Sequence, residues 1–201
     1  MSLTLLLQTS NGVPALALAR GAEIVFDSSN RPEFDGSRDY RAMLETGLAA
    51  CDSSLDTLTR IAADIGPGGL GVTRTGVAFA NALGFALGLG VIAVPAFEML
   101  GHAVADQERP TVLMRRAARP YVHFGIWQAG KLVNYEHCEQ VNAFEAAQSL
   151  DKFNYVGTVL DDALPTPLFN TAPMGAMADF VAQLPDPAPD ARAYPIVEVL
   201  E

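Results

Sequence analysis

The residues best suited to metal chemistry in this sequence are its three histidines. His102, His123 and His137 lie 21 and 14 positions apart along the chain. A metalloprotease-type site requires two histidines on one helical face, as in His-x-x-x-His, so that both imidazoles reach the same ion. This spacing does not provide such a pair. We therefore predict no metal site and interpret each histidine as a partly buried polar residue.

The two cysteines are the candidate nucleophiles. Cys51 ends a predicted amphipathic helix, and Cys138 directly follows His137. Neighbouring residues of a strand point to opposite faces, so His137 is poorly placed to activate Cys138. Neither cysteine belongs to a Cys-x-x-Cys pair, which argues against a metal ribbon or a disulfide framework. We predict no catalytic residue, and a reduced, cytoplasmic setting.

A glycine-rich loop, Gly66 to Gly71, precedes a long apolar helix. Such a loop exposes backbone N–H groups at the positive end of a helix and could hold a phosphate. It lacks the Gly-Lys-Ser/Thr ending of a Walker loop. Alternatively, its glycines serve only a tight turn and close packing. The sequence leaves both interpretations open.

The elements that would position these residues follow from the hydrophobic pattern. Apolar runs at 3–7, 14–19 and 23–26 predict an antiparallel meander. The pattern then predicts a helix over 37–51, a strand ending near 63, a helix over 73–89, a strand over 91–94 and a helix to 106. This order is that of a ribonuclease-H-like lobe. A second lobe is predicted from strands at 111–114, 121–127, 131–135 and 155–160, helices at 141–150 and 171–184, and a closing strand over 194–200. We predict domains at 1–106 and 107–201.

Charge and hydropathy limit the partners of the chain. Its 13 Lys and Arg face 23 Asp and Glu, a net charge of −10, which argues against broad contact with nucleic-acid phosphates. The segment 75–97 carries no charge and is long enough to span a bilayer. Asn81, Pro95 and four glycines interrupt it, so we predict a buried helix followed by a buried strand, and no membrane span.

The segment from Gly66 to Gly76 resembles the G-P-G-S-F-T-G-x-R-x-G motif of the TsaB (YeaZ) family. Five positions match without a gap: Gly66, Pro67, Gly68, Arg74 and Gly76. A helix of small residues and a strand-to-helix turn at 90–95 follow, as in that family. The resemblance implies an α/β, actin-like (ASKHA) fold of two ribonuclease-H-like lobes, the second abbreviated.

Three departures from the family pattern point away from catalysis. Gln8 stands where nucleotide-using relatives carry an acidic residue after the first strand, and an amide organises a magnesium-bound nucleotide poorly. Gly69-Leu70-Gly71 replaces Ser-Phe-Thr and removes two hydroxyl groups. Of the second-lobe Asp-Ala-Arg segment only one arginine remains, which we assign to Arg116.

The resemblance also implies a function and a set of partners. The chain is expected to be a non-catalytic scaffold for a TsaD-like enzyme that forms N6-threonylcarbamoyladenosine in tRNA, with a TsaE-like ATPase as a further partner and a homodimer when alone. Direct tRNA binding and a cofactor of its own are not expected, which leaves room for a nucleotide at the interface of the complex. Two alternatives are a small ASKHA-type nucleotide-dependent enzyme and a homodimeric interaction protein without a TsaD partner.

Two sets of residues carry these expectations. The nucleotide, if bound, is expected at Thr9, Ser10, Gly66, Gly68, Gly69 and Arg74. The two first-lobe helices show more apolar surface than one sheet face can easily cover, which indicates either core packing or a helix-to-helix interface. In the second case the interface residues are Tyr40, Met43, Leu44, Gly47, Leu48, Val77, Ala80, Asn81 and Gly84.

Overall fold

The computed structural model describes residues 2–106 and 108–196. A first sheet contains β1 (Leu3–Gln8), β2 (Ala15–Arg20), β3 (Glu23–Asp27), β4 (Leu58–Gly66) and β5 (Val91–Pro95), in the order β3-β2-β1-β4-β5. β1, β2 and β3 pair antiparallel, whereas β4 and β5 extend β1 in parallel. The predicted meander with its parallel extension is therefore confirmed.

A second sheet contains β6 (Thr111–Arg116), β7 (Tyr121–Gln128), β8 (Lys131–Glu139) and β9 (Asn154–Gly157), in the order β8-β7-β6-β9. β6 pairs antiparallel with β7 and parallel with β9. The strand predicted over 155–160 is shorter in the structure, where β9 already ends at Gly157. The boundary predicted between residues 106 and 107 stays a prediction.

Within the described residues, five α-helices cover these sheets: α1 (Tyr40–Ala50), α2 (Leu70–Leu87), α3 (Ala96–His102), α4 (Gln140–Gln148) and α5 (Met174–Ala182). α1 begins at Tyr40, not Ser37, because the carboxylate of Asp39 caps it by accepting a hydrogen bond from the Ala42 N–H at 2.9 Å. α2 begins at Leu70, three residues earlier than predicted, and ends before Gly88, which adopts a left-handed conformation.

Three apolar clusters hold the layers together. The odd-numbered leucines of β1 face α1 and α2, whereas Leu6 faces α3, α5 and the second sheet. β6 alternates in the same way: Leu113 points toward the first sheet, and Val112 and Met114 pack on α4. Each of these buried side chains contributes about 1.5–3 kcal/mol of hydrophobic free energy. α3 and α5 thus lie between the two sheets.

The C-terminal segment is fastened to the first sheet by backbone bonds. Val91 donates its N–H to Ala191 O at 3.1 Å, and Ile196 donates to Ile65 O at 2.8 Å. The closing strand predicted over 194–200 is not formed at 194–196, and its remaining residues lie outside the described part of the chain.

Candidate functional site

Asp64, near the end of β4, joins two loops of the first sheet. Its carboxylate is buried and accepts hydrogen bonds from the backbone N–H groups of Ser10 at 2.9 Å and Gly66 at 2.9 Å. The Ser10 hydroxyl donates to the same carboxylate at 2.6 Å, and the Thr9 N–H approaches it at 3.3 Å. A buried carboxylate requires such donors, so Asp64 fixes the loop after β1 against the loop after β4.

The glycine loop is pressed against the loop that follows β1. A Cβ atom placed on Gly68 would lie 2.0 Å from the backbone oxygen of Ser10, and Gly68 has a φ of +156°. The neighbouring Gly69 N–H donates to that same oxygen at 2.9 Å. The contact requires glycine at position 68, as the packing interpretation of this loop expected.

Arg115 enters this site from the second sheet. Its side chain is fully buried, and Nη1 donates to the Ser10 hydroxyl and, at 3.2 Å, to the Pro67 carbonyl oxygen. Burial lowers the pKa of the guanidinium, and the negative charge of Asp64 opposes this effect. Ser10 therefore bridges a buried anion and a buried cation, and the two sheets are linked at this point.

The sequence interpretation assigned the retained arginine to Arg116, and that assignment stays a prediction. Arg116 is exposed, whereas Arg115 is the buried residue. The strand alternation could have shown this, because Thr111, Leu113 and Arg115 share the face of β6 that points toward the first sheet. A charged residue in register with buried neighbours is a signal for a buried ion pair.

Gln8 occupies the position at which nucleotide-using relatives carry an acid. Its side chain is buried, and Nε2 donates to the Ala172 carbonyl oxygen at 3.1 Å and approaches the Met99 sulfur at 3.8 Å. The amide thus ties β1 to α3 and to the segment before α5. This contact gives the amide a structural role between the two lobes.

The residues predicted to bind nucleotide are only partly brought together. Thr9 and Ser10 meet Gly66, Gly68 and Gly69 at the junction of the two loops. Several of their polar groups already bond one another there. Arg74 is exposed in the second turn of α2, and among the described residues it forms no hydrogen bond or ion pair with the others. Nucleotide binding at these residues stays a prediction.

A cavity of about 400 Å³ opens on the other side of the glycine loop, lined by Gly68, Gly69, Leu70, Arg116, Ala117, Ala118, His123, His137 and Ile196. The N-terminus of α2 borders it without a side-chain cap, because the capping residue is Gly69. The uncapped helix end and Arg116 give this cavity a positive character suited to anions.

Two of the histidines that are distant in sequence meet in this cavity. His123 and His137 are cross-strand partners on β7 and β8, with ring centroids 5.1 Å apart, and His123 Nδ1 lies 3.1 Å from the Tyr135 hydroxyl. His102 is elsewhere, beside Gln183. Within the described residues, no group of three or more His, Cys, Asp or Glu side chains could hold a metal ion.

Both cysteines are half-buried and free. Burial is the main cause that raises the pKa of the Cys51 and Cys138 thiols. A raised pKa lowers the fraction of thiolate at neutral pH, and the thiolate is the nucleophilic form. This environment is unlike that of an activated cysteine.

The residues predicted to form an exposed interface on α1 and α2 lie mostly inside the chain. Eight are buried: Tyr40, Met43, Leu44, Gly47, Leu48, Val77, Ala80 and Gly84. They pack on the inner sheet face because the three-and-four spacing that made them conspicuous is also the spacing of a core-facing stripe. Asn81 exchanges two hydrogen bonds with the backbone of Ala193, at 2.8 and 3.0 Å. The core-packing alternative thus describes these residues in the isolated chain. An interface on the two helices stays a prediction.

The outer face of α2 carries a different apolar stripe. Ala78, Ala82, Phe85 and Ala86 are exposed, and Phe85 retains 78% of its accessible surface. Beside it, a groove of about 330 Å³ runs between α1 and α2, lined by Arg41, Leu44, Glu45, Leu48, Leu55, Phe79 and Leu83. Leu44 and Leu48 thus reach the surface only at the floor of this groove. We call the stripe and the groove together the α1–α2 face.

α2 is also the one helix of the described residues that is long and apolar enough to cross a membrane by length and composition. The prediction of a buried helix is correct for one side only: 28% of its 18 residues are buried. Gly76, Ala80 and Gly84 lie on the buried side and the alanine stripe on the other.

Comparison with known proteins places the chain in a family. Residues 37–157 match the sequence model described as TsaD, tRNA N6-adenosine threonylcarbamoyltransferase. The chain belongs to this TsaD family. The match supports a role in the tRNA modification system, and it covers both the motif at 66–76 and the second sheet up to β9. No curated protein matches the chain.

Two solved structures share the fold along almost the whole chain. One is described as an uncharacterized protein with similarity to peptidase YeaZ from Pseudomonas aeruginosa; at 18% identity and a TM-score of 0.73, the match covers 98% of this chain and 99% of that one. The other is YeaZ from Pseudomonas aeruginosa, with 20% identity, a TM-score of 0.64 and coverage of 94% and 88%. Both share the two-sheet α/β fold of this chain, and together with the TsaD family match they support its resemblance to TsaB (YeaZ).

Proposed function

We propose that this chain is a non-catalytic partner of a TsaD-like enzyme in the formation of N6-threonylcarbamoyladenosine in tRNA. The observation that carries the proposal is the α1–α2 face. A continuous exposed stripe of alanines with a protruding phenylalanine beside an apolar groove is the surface that a partner helix requires for close approach.

Charge supports docking of a protein at this face. The segment 75–97 carries no charged residue, so the alanine stripe can be buried without desolvating an ion. Arg41 and Glu45 pair at 2.7 Å on the rim of the groove and are both exposed. A dry centre with a polar rim is the usual anatomy of a specific interface.

The junction of the two lobes supports an accessory role. At this junction Ser10 is hydrogen-bonded to both Asp64 and Arg115, and Gly68 leaves no space against Ser10. The Asp64 carboxylate and the Ser10 hydroxyl, which could otherwise orient a metal-bound nucleotide, are engaged in contacts within the chain. The transfer chemistry, and any nucleotide, would then belong to the TsaD-like partner or to the interface with it.

The test is co-purification with a tagged TsaD homologue from the source cell. Ala82→Arg and Phe85→Asp each place an unpaired charge in the centre of the α1–α2 face, so each should reduce recovery of the complex at least tenfold, since burying such a charge costs several kcal/mol. Ala163→Arg, at an exposed position outside the face, is the matched control and should leave recovery unchanged. Equal recovery for all three variants would contradict the proposal.

A homodimeric interaction protein is the alternative that the same face favours. A stripe of small residues can pack against a second copy of itself as readily as against another helix. Sedimentation of the isolated chain, with and without the TsaD homologue, separates the two cases. A dimer that the homologue does not dissociate, and that forms no mixed complex, would favour the alternative.

The enzyme alternative draws on the 400 Å³ cavity. Gly69 has space for a side chain, so Gly69→Asp would cap α2 and place a negative charge at the cavity without disturbing the loop. ATP hydrolysis by the purified chain that disappears in this variant would support a nucleotide-dependent enzyme. A TsaE-like ATPase as a further partner belongs to the proposal and is tested by adding it to the same pull-down.

Direct tRNA binding is not part of the proposed function. Three arginines lie close together in the sequence at 115, 116 and 119, but Arg115 is buried and only Arg116 and Arg119 are exposed. A fluorescence titration with tRNA should show weak binding at physiological salt. Micromolar affinity with a steep salt dependence would show that the chain itself holds tRNA.

A further inference from the structure

A second cavity, of about 520 Å³, lies beside the 400 Å³ cavity and shares Arg116 and Ala117 with it. It is lined by Arg116, Ala117, Arg119, Pro120, Tyr121, Val122, Gln140, Val159 and Leu160. The β6–β7 loop, the start of α4 and the segment after β9 form its walls. Its volume lies within the usual range of small-ligand pockets, about 300–1,000 Å³.

Two arginines give this cavity a local positive charge in an acidic chain. Arg116 and Arg119 are exposed, and among the described residues neither forms an ion pair or a side-chain hydrogen bond. Asp161 lies on the neighbouring segment, where its carboxylate accepts the Ala163 N–H at 2.9 Å. Two guanidinium groups with free donors favour a phosphate or a carboxylate.

The loop that carries the arginines is held by backbone bonds at both ends. Tyr121 donates its N–H to Ala118 O at 2.8 Å, and Gln140 donates to Pro120 O at 3.0 Å. Below the loop, Thr158 donates its N–H to Met114 O at 3.1 Å, which joins the segment after β9 to β6. A site supported in this way requires little ordering when a ligand binds.

The remaining walls suit a planar, partly apolar group. Leu160 retains 67% of its accessible surface beside Val159, the half-buried ring of Tyr121 adds an aromatic edge, and the Gln140 amide has donors and an acceptor without a partner among the described residues. We propose that this cavity binds a phosphomonoester that carries a planar ring, with the phosphate on Arg116 and Arg119 and the ring between Tyr121 and Leu160. This inference goes beyond the proposed function and does not depend on a TsaD partner.

The test uses the isolated full chain and adenosine 5′-monophosphate as the probe, followed by calorimetry and by NMR. Adenosine and ribose 5-phosphate supply the ring and the phosphate separately, and each should bind at least tenfold more weakly than the probe. The amide signals of Arg119, Tyr121 and Gln140 should shift, and those of Gly69 and Leu70 should not. Equal binding of ribose 5-phosphate, or shifts confined to Gly69 and Leu70, would overturn the proposal.

Three variants separate this cavity from other cationic surfaces. The double change Arg116→Gln with Arg119→Gln should weaken binding of the probe at least tenfold, as should Leu160→Asp, which places a negative charge on the apolar wall. Arg38→Gln removes the same kind of exposed charge elsewhere and is the matched control. Gly69→Asp should leave binding unchanged, because it blocks anions only in the 400 Å³ cavity. Binding that survives the double change, or that is lost in Gly69→Asp, would contradict the assignment.

Discussion

Ser10 donates two hydrogen bonds to the carboxylate of Asp64, one from its backbone N–H at 2.9 Å and one from its hydroxyl at 2.6 Å. The oxygen of that hydroxyl in turn accepts a hydrogen bond from Arg115 of the second sheet. One serine therefore connects the end of β1 to β4 and to β6. The contact between the two sheets at this point therefore depends on one buried serine.

Loss of either charged partner at this junction should be strongly destabilising, and the two losses should not add. Asp64→Asn leaves a buried guanidinium without its anion, and Arg115→Met leaves the carboxylate without its cation, so each should lower the free energy of unfolding by about 3–5 kcal/mol. The double variant should cost less than the sum of the two. Urea denaturation of all four proteins gives this double-mutant cycle.

The control for the cycle is Asp151→Asn, an exposed carboxylate with no role in the junction. It should change the unfolding free energy by less than about 0.5 kcal/mol. If the Asp64 and Arg115 effects add without coupling, the two charges do not act through Ser10.

Substitutions at the adjacent glycines Gly68 and Gly69 should have opposite effects on the stability of the chain. Gly68→Ala would place a methyl group on the Ser10 backbone oxygen at a positive φ, so it should destabilise the chain by about 3 kcal/mol or more. Gly69→Asp meets no close atom and supplies an N-cap to α2, so it should stabilise by a few tenths of a kcal/mol. The melting temperatures of the two variants test this prediction. Similar melting temperatures would mean that the glycine loop does not contact the loop after β1.

The strand order and the glycine motif could be predicted from the sequence because both depend on local patterns. Alternating and continuous apolar runs indicate strands, and Gly66 to Gly76 forms one contiguous signature. The buried network could not be found in the same way. Asp64 and Arg115 are 51 positions apart, and only the pairing of the two lobes brings them to one serine.

The sequence also did not show which face of each helix is buried in the chain. The spacing of Tyr40, Met43 and Leu48 shows that α1 is amphipathic, but an apolar stripe looks the same whether it packs on its own sheet or on a partner. On α2 the two sides differ little in hydropathy, since Ala80 faces the core and Ala82 faces outward. Small residues on both sides therefore conceal the buried face until the sheet is in place.

Deprotonation of the buried Tyr155 should lower the stability of the chain at alkaline pH. Burial raises the pKa of this phenol to about 12, although the positive charge of Arg116 opposes this effect. The folded state thus keeps a proton that the unfolded state loses near its usual pKa of 10. The protonated phenol therefore stabilises the folded state fully below that pH. This stabilisation is lost as the pH rises toward 12, which lowers the free energy of unfolding by about 1–2 kcal/mol after allowance for solvent screening.

Urea denaturation at pH 9 and pH 11 measures this loss. Tyr155→Phe should be less stable at pH 9, because it loses the 2.6 Å hydrogen bond to Val159 O, but it should show a smaller decline between the two values. Tyr194→Phe, at a ring that retains 74% of its accessible surface, should decline as much as the unmodified chain. An equal decline in all three proteins would assign the alkaline sensitivity to other groups.

The two sides of α2 should respond in opposite ways to the same substitution. Ala80 has no accessible surface and lies in the cluster beneath the helix, so Ala80→Arg must bury a guanidinium without a partner or displace α2, and its melting temperature should fall by 10 °C or more, as expected from roughly 3–5 kcal/mol. Ala82 is exposed two residues later. Ala82→Arg should keep a near-normal melt and lose only association with a TsaD homologue. If Ala82→Arg also lowered the melting temperature by 10 °C or more, α2 would be buried on both sides within the chain and could not serve as a docking face. If Ala80→Arg melted normally, the buried face of α2 would be the wrong one, and the stripe of Tyr40, Val77 and Ala80 would again be available as an interface.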